Sequence, residues 1–374
     1  MSETCETIVI SAVNLRKGGT LTILRQCLEY LSGISEEYHI VALVHDRALC
    51  DFPGITYLEM PWCTVGWLHR LWTEYVTMHR ISRRMESENG RRVFLWLSLH
   101  DSTPNVRAEH QAVYCHTSFP FMKVHARDFL MDPKIPLFSI LTGSVYKFNV
   151  TRNDWLIVQQ DWFRRKLAAL TGFPEGRIIV APPHFESPAI RNSCPSGMAE
   201  FLYPSTPDCH KNFETLCRAA EILESRVGKG TFRVTLTISG KENRYSRWLF
   251  RRWGKVSSLD FSGFLPREEL YDRYSKAGCL VFPSRIESWG LPVSEFLPGG
   301  KPVILSDLPY AHETAGSACN AAFFDPDDPE SLAELMSGFM SGDMSGFVSV
   351  PEVSVQPPFA EDWKTLFDKL LTKK

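Results

Sequence analysis

The sequence predicts an α/β protein built from two doubly wound domains, and three observations lead to that prediction. The chain has 374 residues, which exceeds one ordinary hydrophobic core and suits two domains. Hydrophobic residues make up 44% of it and charged residues 22%, a composition typical of folded globular proteins. Short apolar runs alternate with segments of helical periodicity, as buried parallel strands alternate with their covering helices.

The N-terminal half supplies the first series of predicted strands. The opening strand, Thr7–Val13, precedes a turn at Gly18–Gly19 and a helical leucine pattern that begins at Leu21. Later apolar runs are interpreted as buried strands because they are short, continuous and bounded by polar residues. They are Ile40–Val44, Val93–Leu97, Ala112–Cys115, Trp155–Val158 and Ile178–Val180.

The C-terminal half shows a cleaner alternation of strands and helices, which favours a second doubly wound domain. Its strands are predicted at Phe201–Tyr203, Arg233–Ile238, Leu259–Phe261, Leu280–Phe282, Val303–Leu305 and Ala321–Phe324. Its helices are predicted at Asn212–Arg226, Arg244–Trp253, Arg267–Lys276, from about Leu291, and at Glu330–Met340. An amphipathic helix is predicted at Phe359–Leu371.

Proline marks the predicted boundary between the two domains. Residues 182–198 contain four prolines between periodic segments, which is typical of an inter-domain linker. We therefore predict domains at residues 1–185 and 186–355, followed by a helical tail at 356–374.

Charge and cysteine content exclude some classes of function. The net charge is -2, whereas nucleic-acid binders usually carry a basic excess. The ten cysteines form no CxxC pair, which favours scattered buried thiols over a zinc site or a disulfide framework. The N-terminal apolar run is too short for a signal peptide, and no run of 18 apolar residues occurs. The expected location is the cytoplasm or the inner face of the cytoplasmic membrane.

The stretch from Val281 to Glu295 carries the clearest chemical pattern. A strand ends at a proline, Gly290 allows a close approach of backbone to ligand, and a helix begins at Leu291. The free amides and positive dipole end of that helix predict an anion site. Two carboxylates, Glu287 and Glu295, flank these amides eight residues apart.

This pattern resembles the E-x7-E signature of retaining glycosyltransferases of family 4. Similar stretches surround it at Phe264–Leu270, Tyr274–Ala277 and Pro302–Ser306. The resemblance implies the GT-B fold, in which two Rossmann-like domains face each other across a cleft. It also implies that the N-terminal domain binds the acceptor, the C-terminal domain binds the nucleotide sugar, and the C-terminal helix crosses back to the N-terminal domain.

The activity that the resemblance implies is retaining, metal-independent sugar transfer of the hexosyltransferase type. The donor is a nucleotide sugar, and the acceptor is a glycan or a lipid-linked glycan. Enzymes of bacterial surface polysaccharide assembly, such as O-antigen synthesis, dominate the family. No cofactor besides the donor substrate is expected.

The resemblance also implies roles for the residues of the signature. Glu295 accepts hydrogen bonds from the donor's ribose hydroxyls, and Glu287 meets the donor sugar beside the anomeric carbon. A carboxylate suits both tasks because it is an acceptor-only group that can hold a vicinal diol. The amides of Gly290 and Leu291 suit the pyrophosphate.

Lys211 is the candidate cation for the leaving pyrophosphate. It stands at a strand-to-helix junction, where a merely solvated lysine is disfavoured because it opposes the positive end of the helix dipole. Similar enzymes place an arginine a few residues earlier, but none occurs between Phe201 and His210. Either Arg285 or His210 takes the place of this arginine, or the phosphate charge is neutralised more weakly than in similar enzymes.

The N-terminal half contributes further candidates after its strands. Gly18 and Gly19 do not form the GxGxxG fingerprint, so they make either a plain turn or, as in similar enzymes, a loop over the donor pyrophosphate. His116 follows a predicted parallel strand, where α/β sheets bind ligands, and similar enzymes carry a histidine there that contacts the donor sugar. Asp101 and Asn105 follow another strand and are candidates for acceptor contact.

Two other segments have competing interpretations. Asp325–Asp328 contains a DxD pattern, but its position before a helix favours ordinary capping, so no catalytic metal is predicted. Trp67–Met85 predicts an amphipathic helix that either covers the N-terminal sheet or rests on an anionic membrane surface.

Three alternatives to the transferase remain open at this point. A nucleotide-sugar epimerase of similar fold needs no acceptor, and a storage-glucan synthase shares the E-x7-E pattern. A non-catalytic nucleotide-sugar-binding protein would bind the donor without turning it over.

Overall fold

The computed structural model describes residues 5–183 and 198–372. These residues form two compact units, each organised around one parallel sheet. Unit 1 consists of residues 5–117, 141–183 and 355–372, and unit 2 consists of residues 118–140 and 198–354. The segment 118–140 thus belongs with unit 2, whereas the sequence boundary at residue 185 assigned it to the first domain. Nearly all of the predicted linker at 182–198 lies outside the described residues.

The sheet of unit 1 has seven described strands in the order β3-β2-β1-β4-β5-β6-β7, all paired in parallel. Its central strands are apolar and buried on both faces, as parallel sheets covered by helices require. The strands are β1 (Glu6–Ala12), β2 (Tyr38–Val44), β3 (Ile55–Glu59), β4 (Val93–Ser98), β5 (Ala108–Tyr114), β6 (Trp155–Val158) and β7 (Ile178–Val180).

The helices of the N-terminal half include three that the sequence analysis did not predict, α4, α5 and α6. A π-helical turn at Thr73–Thr77 joins α2 to α3, so the predicted amphipathic helix is one helical run with a changed register. The helices are α1 (Gly18–Ser32), α2 (Trp67–Trp72), α3 (Met78–Asn89), α4 (Ala126–Met131), α5 (Lys134–Lys147) and α6 (Asp161–Thr171).

The C-terminal helix α13 (Trp363–Leu371) completes unit 1. Asp362 caps it by accepting a hydrogen bond from the amide of Thr365 at 2.7 Å. Its apolar face packs into the same core as α1, and the ring of Phe367 stacks on that of Tyr30 with 5.3 Å between centroids. Because an amphipathic helix must bury its apolar stripe, the tail is held by hydrophobic packing.

The sheet of unit 2 has six described strands in the order β10-β9-β8-β11-β12-β13, again all parallel. The strands are β8 (Ala199–Tyr203), β9 (Phe232–Leu236), β10 (Leu259–Phe261), β11 (Cys279–Phe282), β12 (Val303–Ser306) and β13 (Ala321–Phe324). Its helices are α7 (Phe213–Val227), α8 (Arg244–Trp253), α9 (Arg267–Lys276), α10 (Leu291–Phe296), α11 (Pro309–Thr314) and α12 (Pro329–Ser341). The predicted α/β class with two Rossmann-like sheets is confirmed.

Strand order reverses once in each sheet. The reversal lies between β1 and β4 in unit 1 and between β8 and β11 in unit 2. Connections leave such a pair of strands towards opposite faces of the sheet, so a crevice opens at the carboxyl ends of the two strands. Each unit therefore has one place where loops can converge on a ligand.

Candidate functional site

The loops that follow β8 and β11 bring two predicted residues of unit 2 into contact. Lys211 follows β8, Glu287 follows β11, and Lys211 Nζ lies 2.6 Å from Glu287 Oε1. Their side chains are 16% and 13% exposed, so the ion pair is largely shielded yet reachable. Residues far apart in sequence meet here because their strands are neighbours at the reversal of strand order.

A buried tyrosine holds the Lys211 loop to the Glu287 loop. The hydroxyl of Tyr203, at the end of β8, donates to the carbonyl of Lys211 at 2.7 Å and lies 3.0 Å from Ser284 Oγ. Asn212 follows in the left-handed region with φ +58° and donates to the carbonyls of Pro283 and Pro326 at 3.1 and 2.8 Å. Asparagine tolerates that conformation better than most residues. The backbone beside Lys211 is therefore fixed to the loop after β11.

Arg285 is already bound to protein groups. Its Nη1 and Nη2 donate to the two carboxylate oxygens of Asp128 at 3.0 and 2.7 Å, and Nη2 also donates to the carbonyl of Cys209 at 2.7 Å. Its side chain is only 3% exposed. A buried bidentate carboxylate leaves the guanidinium little capacity for a phosphate. This geometry argues against Arg285 as the replacement for the missing phosphate arginine.

His210 does not supply that positive charge either. It is buried, and burial holds its pKa well below the usual value, with the positive charges of Lys211 and Arg285 lowering it further. The ring is therefore neutral near pH 7. Of the cations predicted for the pyrophosphate in unit 2, Lys211 is the one whose surroundings still suit that role.

Glu295 lies on α10, the helix that begins just after Glu287. Its Oε2 accepts a hydrogen bond from the hydroxyl of Tyr274 at 3.0 Å. Burial raises the pKa of Glu295 above its usual value, and the hydroxyl of Tyr274, the charge of Arg267 and the hydroxyl of Tyr271 oppose that rise. Glu295 therefore protonates more readily than an exposed glutamate when the pH falls.

Gly290 sets the direction in which α10 starts. It is the N-cap residue, with φ +96° in the left-handed region. An added Cβ would meet Phe282 and Thr314 at an ordinary 3.7 Å, so the backbone conformation, not lack of space, favours glycine. Leu291 is the first helical residue. The geometry agrees with the predicted turn, and the pyrophosphate role of these amides stays a prediction.

The loops of unit 1 carry the remaining candidates. Gly18 and Gly19 are exposed and form the first two residues of α1, with Gly18 at φ +64°. They are therefore a helix start and not an isolated turn. Asn105 lies in the loop after β4, where its backbone N–H donates to the carbonyl of Glu74 at 3.2 Å.

Asp101 ties the loop after β4 to the loop after β5. Its Oδ1 accepts hydrogen bonds from the amides of His116 and Thr117 at 2.6 and 2.9 Å and from the hydroxyl of Tyr146 at 2.9 Å. Its Oδ2 accepts from Thr117 Oγ1 at 2.8 Å. Four donors of the protein share this carboxylate, which argues against Asp101 as an acceptor ligand. Its observed contacts fix the backbone at His116.

The His116 ring is buried and stacks on Tyr114, with 4.5 Å between ring centroids. Within the described residues, neither ring nitrogen has a hydrogen-bond partner of ordinary geometry. Burial lowers the pKa of His116, while the carboxylate of Asp101 and the Leu99 carbonyl oppose that effect. A neutral imidazole has one donor and one acceptor nitrogen, which suits contact with sugar hydroxyls.

Asp128 and Tyr274 also contact the candidate residues, although neither was among the predicted site residues. Tyr274 lies inside one of the stretches that resemble the family, so proximity to the signature was a usable signal. Asp128 gave none, because its partner Arg285 is 157 residues away in the chain. The capping interpretation of the DxD stretch is confirmed for Asp328, whose Oδ1 accepts from the amides of Glu330 and Ser331.

The described residues show neither a metal-binding cluster nor a membrane-spanning helix. Among residues 5–183 and 198–372, no group of three or more His, Cys, Asp or Glu side chains is placed to hold a metal ion. None of the described helices combines the length and apolar character needed to cross a membrane.

Comparison with protein families identifies unit 2. Residues 192–345 match the model described as "Glycosyl transferases group 1". Unit 2 carries a glycosyl transferase group 1 domain. Lys211, Glu287 and Glu295 all lie inside this domain, at the reversal of its strand order.

Two curated relatives match part of the chain. O-antigen chain mannosyltransferase B of Escherichia coli is 27% identical over 198 residues, which cover 48% of this chain and 49% of that protein. O-antigen chain mannosyltransferase RfbU of Salmonella typhimurium is 43% identical over 63 residues, 17% of each chain. The chain thus spans about half the length of the first relative and less than a fifth of the second.

Solved structures of glycosyltransferases share the fold over nearly the whole chain. Sucrose-phosphate synthase from Thermosynechococcus elongatus is 15% identical, with 90% of each chain covered and a TM-score of 0.64. Anabaena HepE, solved in complex with UDP-glucose, is 11% identical, with 91% of this chain and 92% of that chain covered and a TM-score of 0.60. The predicted GT-B class of fold is confirmed.

The Asp101 contacts lead to a prediction about the loop that carries His116. Replacing Asp101 by Asn keeps a residue suited to the left-handed conformation but removes the charge and one acceptor. Charge-assisted hydrogen bonds contribute about 1.5–3 kcal/mol each, so we expect the amides of His116 and Thr117 to exchange with solvent about tenfold faster or more. Hydrogen exchange read by mass spectrometry measures this. Glu109→Ala, an exposed change on β5, is the control, and equal exchange in the two variants would contradict the role of Asp101.

Proposed function

We propose that this protein is a retaining glycosyltransferase that moves a sugar from a nucleotide-sugar donor to a glycan acceptor. The observation that carries the proposal is the Lys211–Glu287 pair, 2.6 Å apart, at the strand reversal of the glycosyl transferase group 1 domain. Glu295 lies on the helix that follows in the same domain. Two relatives named as O-antigen mannosyltransferases, and a structural neighbour solved with UDP-glucose, support this class of substrate and process.

Unit 2 holds the donor in this proposal. Glu295 accepts hydrogen bonds from the ribose hydroxyls, and the amides of Gly290 and Leu291 face the pyrophosphate. Lys211 neutralises charge that develops on the leaving diphosphate, which is where a fixed cation accelerates transfer most. Without donor, Glu287 offsets the unfavourable position of the Lys211 ammonium near the start of α7.

Glu287 and His116 act at the reacting sugar in this proposal. Glu287 orients the donor sugar through its hydroxyls, and the neutral imidazole of His116 hydrogen-bonds to the same sugar. Asp101 contributes indirectly by holding the backbone of residues 116 and 117. Gly18 and Gly19 allow backbone amides at the start of α1 to approach the donor diphosphate.

Transfer proceeds with retention at the anomeric carbon. The carbon–oxygen bond to the diphosphate breaks, and the acceptor hydroxyl attacks from the face that the diphosphate leaves. The departing phosphate oxygen takes the proton of that hydroxyl. These steps use the groups named above and need neither a dedicated general base nor a metal ion.

The acceptor in this proposal is a lipid-linked glycan of bacterial surface polysaccharide assembly, so the enzyme works at a membrane surface on the cytoplasmic side. The segment that leads into α2 and α2 itself support membrane contact. Their large apolar side chains point to solvent: Trp62, Val65, Trp67, Leu68, Leu71 and Trp72 are 40–81% exposed. Exposed apolar clusters of this kind mark interaction surfaces, and tryptophan favours the membrane interface. Exposed arginines follow on α3, at Arg80, Arg83 and Arg84, and suit anionic headgroups.

The proposed function is tested by measuring donor binding and sugar transfer separately. Wild-type protein is titrated calorimetrically with GDP-, UDP- and dTDP-sugars, and the donor that binds is then incubated with lipid-linked glycan in EDTA. We expect transfer with retained anomeric configuration. A new sugar nucleotide formed without acceptor would indicate an epimerase, and binding without turnover in any assay would indicate a non-catalytic binding protein. Transfer that stops in EDTA and returns with Mn²⁺ would contradict the metal-free mechanism.

The raised pKa of Glu295 predicts a pH dependence of donor binding. The ionised carboxylate is the acceptor of the ribose hydroxyls, so affinity is full above its pKa and declines as the pH falls through it. Because burial raises this pKa, the decline begins at a higher pH than an exposed glutamate would cause. Glu295→Gln should bind about tenfold or more weakly at neutral pH, since it loses charge-assisted bonds of about 1.5–3 kcal/mol each. Its affinity should also lack the acidic decline. Equal affinities and equal pH profiles would remove Glu295 from the ribose role.

The exposed apolar segment predicts binding to lipid vesicles. Replacing Leu68 and Trp72 by Ser removes apolar area that a membrane would cover, so we expect partitioning into phosphatidylethanolamine–phosphatidylglycerol vesicles to fall about tenfold or more. Val227 and Val348, exposed in unit 2, are replaced by Ser in the matched control. Co-sedimentation measures both variants. If the two variants bind equally, or the wild type does not bind, the segment has no membrane role.

A further inference from the structure

We infer that Asp128 is a positioning residue for the donor site. Through Arg285 it sets the spacing between the loop that carries Lys211 and the loop that carries Glu287. The expected changes in kcat and KM rest on the proposed function. The expected change in the spacing of the two loops rests only on contacts within the protein.

Arg285 is bonded to both loops at once. Its backbone N–H donates to the carbonyl of His210 at 2.8 Å, and its Nη2 donates to the carbonyl of Cys209 at 2.7 Å. Cys209 and His210 immediately precede Lys211, while Arg285 itself stands two residues before Glu287. The guanidinium therefore adds a side-chain bond between the two loops to the backbone bond of Arg285 and to the contacts of Tyr203 and Asn212.

Asp128 fixes the orientation of that guanidinium. The two side chains form a bidentate ion pair at 2.7 and 3.0 Å, and they are 3% and 1% exposed. Such a pair is geometrically specific because two parallel N–H···O bonds define one relative orientation. Removing the carboxylate would leave a buried guanidinium uncompensated, which is strongly unfavourable. Arg285 would then turn to another acceptor, and its bond to the Cys209 carbonyl would be lost.

Asp128 is itself held in place by its helix. It occupies the third position of α4, where its Oδ2 also accepts a hydrogen bond from the amide of His125 at 2.9 Å. Nη1 of Arg285 in turn donates to His125 Nδ1 at 3.0 Å. The start of α4 therefore presents one carboxylate and one imidazole in a fixed arrangement to Arg285.

Other contacts fasten the segment 118–140 to the rest of unit 2. Lys123 pairs with Asp327 at 2.7 Å, Arg127 pairs with Glu214, and the ring of Phe119 meets His210 edge-on at 4.8 Å. Among these ion pairs, only Asp128–Arg285 reaches the loops of Lys211 and Glu287. Lys123–Asp327 therefore offers a matched control, because it fastens the same segment without touching either loop.

The test compares Asp128→Asn with Lys123→Gln in two measurements. The first needs no donor: a zero-length carbodiimide joins Lys211 to Glu287 when their charged groups are in contact, and mass spectrometry gives the yield. We expect Asp128→Asn to lower this yield at least about fivefold, and Lys123→Gln to leave it within about twofold. The second measurement is steady-state transfer, in which Asp128→Asn should raise the donor KM and lower kcat, together about tenfold or more in kcat/KM, with the acceptor KM unchanged.

Arg285→Lys is a second variant, which tests whether the Asp128–Arg285 pair positions the two loops if Asp128→Asn fails to fold. Lysine keeps the positive charge but cannot make the bidentate pair and the Cys209 bond together, so the same losses are expected. The double variant should be no worse than the worse single variant, since both remove one interaction. The inference is overturned if Asp128→Asn cross-links and transfers sugar as well as the wild type does. It is also overturned if the losses in Asp128→Asn equal those in Lys123→Gln. Absence of transfer by the wild type with every donor would instead count against the proposed function, and the cross-link yield would still decide the role of Asp128.

Discussion

The reversal of strand order in an all-parallel sheet is the constraint on which the functional part of this structure depends. Parallel strands need crossover connections, and at the reversal those connections diverge to opposite faces. In unit 2 the two loops beside the reversal carry Lys211 and Glu287. All of β11 and the last three residues of β8 are buried, so these strands provide a rigid base for the loops.

Polar contacts hold these loops. Asn212 and Arg285 bond to backbone carbonyls across the crevice, and Tyr203 bonds to the carbonyl of Lys211 on its own side and lies beside Ser284 on the other. Hydrogen bonds within a partly shielded environment are directional, so they favour one arrangement of the loops. Several buried polar residues therefore cluster beside Lys211 and Glu287.

In unit 1, too, hydrogen bonds to a buried or partly buried polar side chain hold a loop. Asp101 accepts three hydrogen bonds from the loop that follows β5 and a fourth from Tyr146 on α5, so a carboxylate helps to define the backbone at His116. Asp101 and Asp128 are alike in this respect, because the observed contacts of each carboxylate join it to protein groups beside a candidate site residue. Acidic side chains can thus hold the loops that carry the candidate residues.

Sequence patterns predicted best the strands that are continuous apolar runs. Strands β6, β7 and β13 match the predicted bounds, because a continuous apolar run has few other interpretations; β10 also matches, although it contains Asp260 and is half-buried. Strand β3 was missed, since it lacks a continuous apolar run and is only half-buried at the edge of its sheet. Helix α5 was missed because apolar residues occur on its exposed as well as its buried side, so no amphipathic periodicity marks it.

By itself, the sequence determined the two-sheet α/β class, the order of elements in the C-terminal unit and the residues of the E-x7-E stretch. The class and the order of elements follow from local composition and periodicity, whereas the E-x7-E stretch follows from its resemblance to a family signature. Only the tertiary structure shows which residues contact one another. Lys211 pairs with Glu287, Arg285 is bound by Asp128, and Asp101 holds the loop that carries His116. Such contacts join residues far apart in the chain, and their energies depend on burial and geometry that only the folded sheet creates.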